Sequence, residues 1–303
     1  MISRIFFAEL TGLLPAMIAI IIITMLFGIL SNLSSAFSKT STKKLVYLVC
    51  YGSVITILGL TVTKGIKTAL SAISLLNTFL DVTAPVMLVL IAALGGTASV
   101  AVYQPLVLIF STVIFKIINF IVIPLFYVTF VFGIIGNLSD DLKLEKFAKT
   151  SKSAAEWVLG IVFSLFITFI TAQGITGASI DNLAVRGVKF ALSGYVPVVG
   201  GQLKEGFDIV VASCLVIKNA LGLTSIIVLV FTVILPILRL VVFMLALKIT
   251  AAIIEPVSDK KFSNCLTATA KSITLLIVAL IAITFAILIM FMLLIYTVNL
   301  GVI

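Results

Sequence analysis

Residues 13–33 and 273–298 contain no charged side chain, and they constrain this chain more than anything else in it. Each is long enough to cross the ~30 Å hydrocarbon core of a bilayer as a helix rising 1.5 Å per residue. Soluble domains run at roughly half apolar and a quarter charged. Here 62 % of the residues are apolar and 10 % charged, with a mean hydropathy of +1.37. In lipid every backbone polar group must be satisfied within the protein. The expected fold class is therefore all-α: a polytopic integral membrane protein, forming a single membrane domain over residues 1–303.

The composition also removes whole classes of chemistry. There is no histidine, so no Ser-His-Asp triad, His-ligated zinc or imidazole relay is open to this chain. Cys50, Cys214 and Cys265 stand far apart and are odd in number, which suits small buried hydrophobes better than a redox or metal role. No Walker A string, GxGxxG, HExxH or GxSxG occurs. The chain reads as a non-enzyme without cofactor or metal, and any energy-driven task would need a partner. The net charge of +9 does not point to nucleic acid, because the lysines sit at the ends of apolar runs, where they set topology and meet anionic headgroups.

The lysines orient the chain. Segment 34–44 holds Lys39, Lys43 and Lys44 without an acid; 137–156 holds four lysines, and 251–272 holds Lys260, Lys261 and Lys271 with Lys248 just before it. By the positive-inside bias all three segments are cytoplasmic. Six full spans follow, at 13–33, 45–62, 117–136, 157–172, 223–247 and 273–298, with both termini outside. The first run exceeds the 7–15 residues of a signal-peptide core, so it reads as a retained span. Residues 64–81 and 173–194 show helical periodicity with polar residues between the apolar ones, the pattern of interfacial amphipathic helices.

Two further elements read as re-entrant or broken helices. Segment 84–115 is interrupted by Pro85, Gly95-Gly96 and Gln104-Pro105; segment 207–221 follows the turn formed by Pro197, Gly200 and Gly201. Such interruptions persist at membrane depth only when packed in protein or facing a wet cavity. The string Lys67-Thr-Ala-Leu-Ser71 recurs as Lys189-Phe-Ala-Leu-Ser193. Half-repeats 1–136 and 157–303, joined by the amphipathic segment 137–156, would make an inverted repeat, a frequent transporter plan.

Charges inside hydrocarbon are the sharpest functional candidates, since each costs several kcal/mol unless paired, hydrated or able to snorkel. They are Lys116, Asp208, Lys218 and Arg239. Lys116 and Arg239 could each reach a headgroup or a carbonyl. Asp208 and Lys218, ten residues apart on one helix, need a cross-helix partner or a water-filled vestibule. With Asn219 and the turns at Pro85, Gly95, Gly96, Pro197, Gly200 and Gly201, they form the expected pathway or re-entrant set. Simple packing of tight turns is the competing reading.

The strings YVPVVGGQ, FDIVVASCLVIKNALG, APVMLVLIAALGG, YQPLVL, NLSDDLKLEKFAK and IIEPVSDKKFSNCLT, in their order along the chain, make it resemble the stage III sporulation protein AE family of endospore-forming Firmicutes. The resemblance covers nearly the whole chain. Positions matching the recurring strings are Pro85, Gly95, Gly96, Pro105, Pro197, Gly200, Gly201, Asp208, Lys218, Asn219, Pro256, Asn264 and Cys265. It implies a permease-like or channel-forming membrane subunit of the apparatus linking mother cell and forespore, supporting late forespore gene expression. The partners it implies are other membrane and ring-forming subunits of the stage III A operon and their ATPase. The bilayer and further copies of the chain complete the expected partners, with no nucleic acid. The expected location is the mother-cell membrane surrounding the forespore. It implies no catalytic residue. Family members ordinarily carry a signal peptide and an extracytoplasmic segment before the first span, so a short form or an absent N-terminal piece is expected here. A self-sufficient secondary transporter and a membrane scaffold with glycine-packed helices remain alternatives.

The lysine distribution yields a direct test. Single cysteines at Thr40 or Lys149, in a background lacking Cys50, Cys214 and Cys265, should resist an impermeant thiol reagent in intact protoplasts. Ready labelling at either site reverses the topology.

Overall fold

A computed structural model describes the backbone of residues 2–35, 40–138, 144–195 and 200–297, and the side chains of 6–31, 44–138, 144, 146–172 and 209–297. The described residues are helical and include no strand. The helices are α1 (Ile2–Ser35), α2 (Thr40–Ala93), α3 (Thr97–Ile109), α4 (Phe115–Ile117), α5 (Ile123–Ile135), α6 (Glu145–Tyr195), α7 (Gly200–Ile254) and α8 (Lys260–Tyr296). Two π-helical turns, Phe110–Ile114 and Ile118–Val122, join α3, α4 and α5 into one helical run.

Among the described residues six segments are long and apolar enough to cross a membrane: Phe6–Ser31, Lys44–Ala93, Thr97–Ile135, Lys146–Ala172, Ile209–Ile254 and Lys260–Tyr296. Each contains or largely overlaps one expected span. The chain is a multi-pass membrane protein of all-α class.

The joints between elements differ from the sequence reading. Residues 45–62 and 64–81 are one helix, and α2 continues through Pro85 to Ala93. The amphipathic stretch 64–81 is thus an extension of the span and not a separate helix lying in the interface. The element expected at 84–115 does turn at Gly95-Gly96, but its limbs are the end of α2 and the start of α3. Likewise 173–194 belongs to α6 and 207–221 to α7. Glycines 52, 59 and 65 do not interrupt α2, because breaking a helix in apolar surroundings strands backbone groups that nothing else can satisfy.

The turn itself is a helix cap. Gly95 has φ of 83°, a left-handed conformation that a side chain would strain. Its N–H donates to the Ala92 carbonyl and that of Gly96 to the Ile91 carbonyl, both at 2.9 Å. This pair of bonds is the Schellman arrangement, which satisfies the last carbonyls of α2. Gly96 then opens α3, its carbonyl accepting from Val100 N–H at 3.0 Å.

The chain divides into two compact units. The first comprises Met1–Ala72, Ile118–Leu159 and Ile234–Ile281. Its core is an aromatic cluster of Phe27, Tyr47, Tyr51 and Phe262, with ring centroids 5.3–5.6 Å apart. The Tyr51 hydroxyl donates to the Ile134 carbonyl at 2.8 Å, tying α2 to the end of α5. Tyr47 donates to the Asn137 carbonyl at 3.2 Å, and the Lys261 ammonium lies 5.7 Å from the Tyr47 ring centre, within cation–π range. Buried hydroxyls turn inward on their own helices: Thr24 bonds the Ile20 carbonyl, Thr250 that of Ala246 and Thr269 that of Cys265. Polar atoms are thereby hidden inside apolar helices.

The second unit comprises Ile73–Ile117, Gly160–Val233 and Ala282–Ile303. Here α8 presents Ile283, Ile287, Met290, Phe291 and Leu294, all fully buried. Phe291 meets Phe79 of α2 at 5.7 Å, and Phe110 meets Phe166 of α6 at 4.7 Å between ring centres. Of the six apolar segments α8 is the most enclosed, its most apolar window being 56 % buried against 22–44 % for the others. The exposed faces elsewhere carry Leu60, Phe120, Leu165 and Phe231, a surface suited to lipid rather than water.

Gly28 is buried, and a Cβ built on it would collide with the Val257 carbonyl oxygen in the segment between α7 and α8. Backbone cannot yield as a side chain can, so Gly28→Ala should destabilise the protein by about 1–3 kcal/mol, the usual range for overpacking. Gly52→Ala, where a Cβ meets nothing within 4 Å, should be neutral. Unfolding of both variants by denaturing detergent measures the difference.

Candidate functional site

The residues singled out as candidates fall at several places, and the structure gives Lys218, Arg239, Gly95 and Gly96 defined partners. Lys218 is fully buried in the second unit. Its ammonium donates to the Ile295 carbonyl at 2.9 Å and to the Thr297 carbonyl. These are carbonyls at the C-terminal end of α8, where the helix has no further N–H to offer them and its dipole favours a cation. Among the described residues, the cross-helix partners of Lys218 are these two backbone carbonyls. The contact locks α7 against the end of α8.

One helical turn further on, Gly222 makes this approach possible. A Cβ there would run into the Ile295 side chain. Asn219 lies between the two, half-buried, with its side-chain carbonyl oxygen enclosed and without a hydrogen bond. Lys218, Gly222, Ile295 and Thr297 thus form one joint, and Lys218 acts in it as a positioning residue.

Arg239 meets a different solution in the first unit. Its Nε lies 2.7 Å from Oε1 of Glu9 on α1, with both side chains partly exposed. An ion pair allows both charges to sit on apolar helices at lower cost than either alone. Glu9 was visible in the sequence only as a residue ahead of the first apolar run; an acid ahead of one span and a base inside another was the available signal. Lys116, in the short α4 between the two π-helical turns, is exposed, where its stem can lie along apolar surface while the ammonium reaches polar surroundings.

Pro85 lies on the exposed side of α2 and lines an apolar recess of about 300 Å³ between α2 and α3, with Val89, Val107 and Leu108. Gln104 is the polar residue on that wall. Gly95 and Gly96 form the cap described above, so in this structure they turn the chain. Pro197 lies outside the described residues. Gly200 and Gly201 open α7 and Asp208 follows on the same helix, its side chain outside the described set. Lys116 and Lys218 belong to the second unit and Arg239 to the first; Lys218 and Arg239 each have the partners described above.

Among the described residues no three Cys, Asp or Glu side chains come together in a way that would hold a metal ion. The three cysteines are free thiols, Cys265 buried and the other two partly so. What the arrangement provides is mechanical: helix ends fixed by caps, a lysine anchor and an ion pair.

Against known proteins, the profile of a family described as Stage III sporulation protein AE matches residues 1–299. A relative from Bacillus subtilis (strain 168), the Stage III sporulation protein AE, is 26 % identical over 261 residues, covering 86 % of this chain and 65 % of the relative. The matched region thus spans just under two thirds of that relative's length. No solved structure matches.

The Lys218 joint predicts a stability phenotype. Lys218→Met retains volume but leaves two buried carbonyls without a donor, and an unsatisfied buried acceptor costs about 1–3 kcal/mol. The variant should unfold at lower denaturing-detergent concentration, and a cysteine placed at Thr297 should become more reactive. A change in activity with unaltered stability would instead mark Lys218 as lining a path.

Proposed function

Because the chain belongs to the stage III sporulation protein AE family, we propose that it is the permease-like, channel-type membrane subunit of a complex connecting mother cell and forespore. In this reading it sits in the mother-cell membrane surrounding the forespore, performs no catalysis of its own, and works with ring-forming subunits and a separate ATPase. Late forespore gene expression depends on it.

The observation that supports this reading best is helix length. Helices α2, α6 and α7 have 54, 51 and 55 residues, about 80 Å each at 1.5 Å per residue, whereas about 20 residues span hydrocarbon. Each pairs an apolar stretch with a more polar one: Lys64, Lys67, Asn77 and Asp81 in α2, Asp181, Arg186 and Lys189 in α6, Lys204, Glu205 and Asp208 in α7. A helix of this length offers surface beyond the bilayer, which a subunit docked to other components requires and a compact carrier does not.

Affinity capture of the full chain from sporulating cells tests the assignment. The expected result is co-purification of an ATPase and ring-forming subunits, with no solute flux when the purified chain alone is placed in liposomes. Flux by the chain alone, with no associated subunits, would establish the self-sufficient transporter instead.

A further inference from the structure

The first unit contains a cavity of about 180 Å³ between the end of α5, the first turns of α6 and the N-terminal half of α8. Lys149, Lys152 and Lys271 line it, together with Asn137, Asn264 and Thr267. The described residues on its wall include no acid. Among the described side chains, Lys152 pairs with Glu156, 3.5 Å away across one turn of α6 and half-exposed, a solvent-screened pair that holds its lysine weakly; Lys149 makes a further interaction of its own. The space exists because small residues face it. Gly133 of α5 opposes Ala268 of α8 so closely that a Cβ on the glycine would stand 3.4 Å from the alanine's.

The rim is apolar. Phe147, next to the wall residue Ala148, is exposed and packs on Phe132 with ring centres 6.1 Å apart. Three cations and amide donors inside, with hydrocarbon-facing side chains outside, complement a ligand that is anionic at one end and apolar at the other. By the lysine distribution this end of the helices is cytoplasmic, and basic pockets between membrane helices on that side suit phosphorylated headgroups.

We propose that this pocket binds a phosphate-bearing anion presented by the headgroup of an anionic phospholipid, whose acyl chain lies along Phe132 and Phe147. Occupancy would fix the start of α6 against α8. The inference stands on these residues and does not depend on the channel reading.

The test uses the full purified chain in neutral detergent, with cardiolipin and phosphatidylcholine as probes and retained lipid read by native mass spectrometry. Cardiolipin should be retained in preference to phosphatidylcholine. Replacing Lys149, Lys152 and Lys271 by Gln should weaken cardiolipin binding about a hundredfold, at about fivefold per lysine beside an anionic surface. Replacement of all three by Arg should preserve it, as should Lys116→Gln, which lies in the other unit. If the triple Gln variant does not fold, the fivefold loss in Lys271→Gln decides. Displacement of cardiolipin by inorganic phosphate would assign the pocket to a soluble phosphate compound rather than a lipid. Equal retention of cardiolipin by wild type and the Gln variant, or no preference over phosphatidylcholine, overturns the proposal.

Discussion

Hydrocarbon offers no hydrogen bonds, so this protein must close every backbone donor and acceptor within itself. That single requirement explains why α2 runs uninterrupted from Thr40 to Ala93 through three glycines and a proline. It explains why the break at Gly95 is a cap in which the amides of Gly95 and Gly96 return to Ala92 and Ile91. It also explains the habit of the buried threonines, whose hydroxyls bond carbonyls one turn back on the same helix. Satisfying local demands locally leaves the helix surfaces free to pack by shape.

Charge follows the same logic. The Lys218 ammonium rests on carbonyls that the end of α8 would otherwise leave open, and one need answers another. Arg239 and Glu9 neutralise each other between α7 and α1. Membrane-embedded charges default to a functional reading because isolation is costly. In these two cases the cost is offset by architecture, which shifts interest to charges gathered around a space, as Lys149, Lys152 and Lys271 are.

Much of the fold was legible in the sequence. The apolar run at 13–33 lies in α1 and the run from 273 in α8 as far as Tyr296, and Gly95-Gly96 marked a true turn between helices. Continuity was not legible: Lys64 and Lys67 look like the end of a span, because sequence periodicity reports which face is apolar and not whether the axis continues. Of the candidate positions, Lys218 was recognisable as a buried charge, but its described partners are main-chain atoms 77 and 79 residues away. Backbone acceptors leave no trace in residue identity. The family resemblance, by contrast, rested on strings specific enough to be met by a profile match over residues 1–299.

The paired π-helical turns between Pro105 and Pro124 have a consequence for how the helical run can change. Each wide turn holds one residue more than the α-helical ladder needs, and one residue rotates everything beyond it by about 100°. The inward positions accordingly step unevenly, through Phe110, Ile114, Phe115, Ile118, Val122, Ile123 and Phe126. Each turn is a stored increment of rotation, and reverting to the tighter ladder would twist the helix beyond it about its own axis without unwinding it. Thr97–Ile135 thus carries two places where the ladder could shorten by one residue, which the uninterrupted α-helical ladder of α8 lacks.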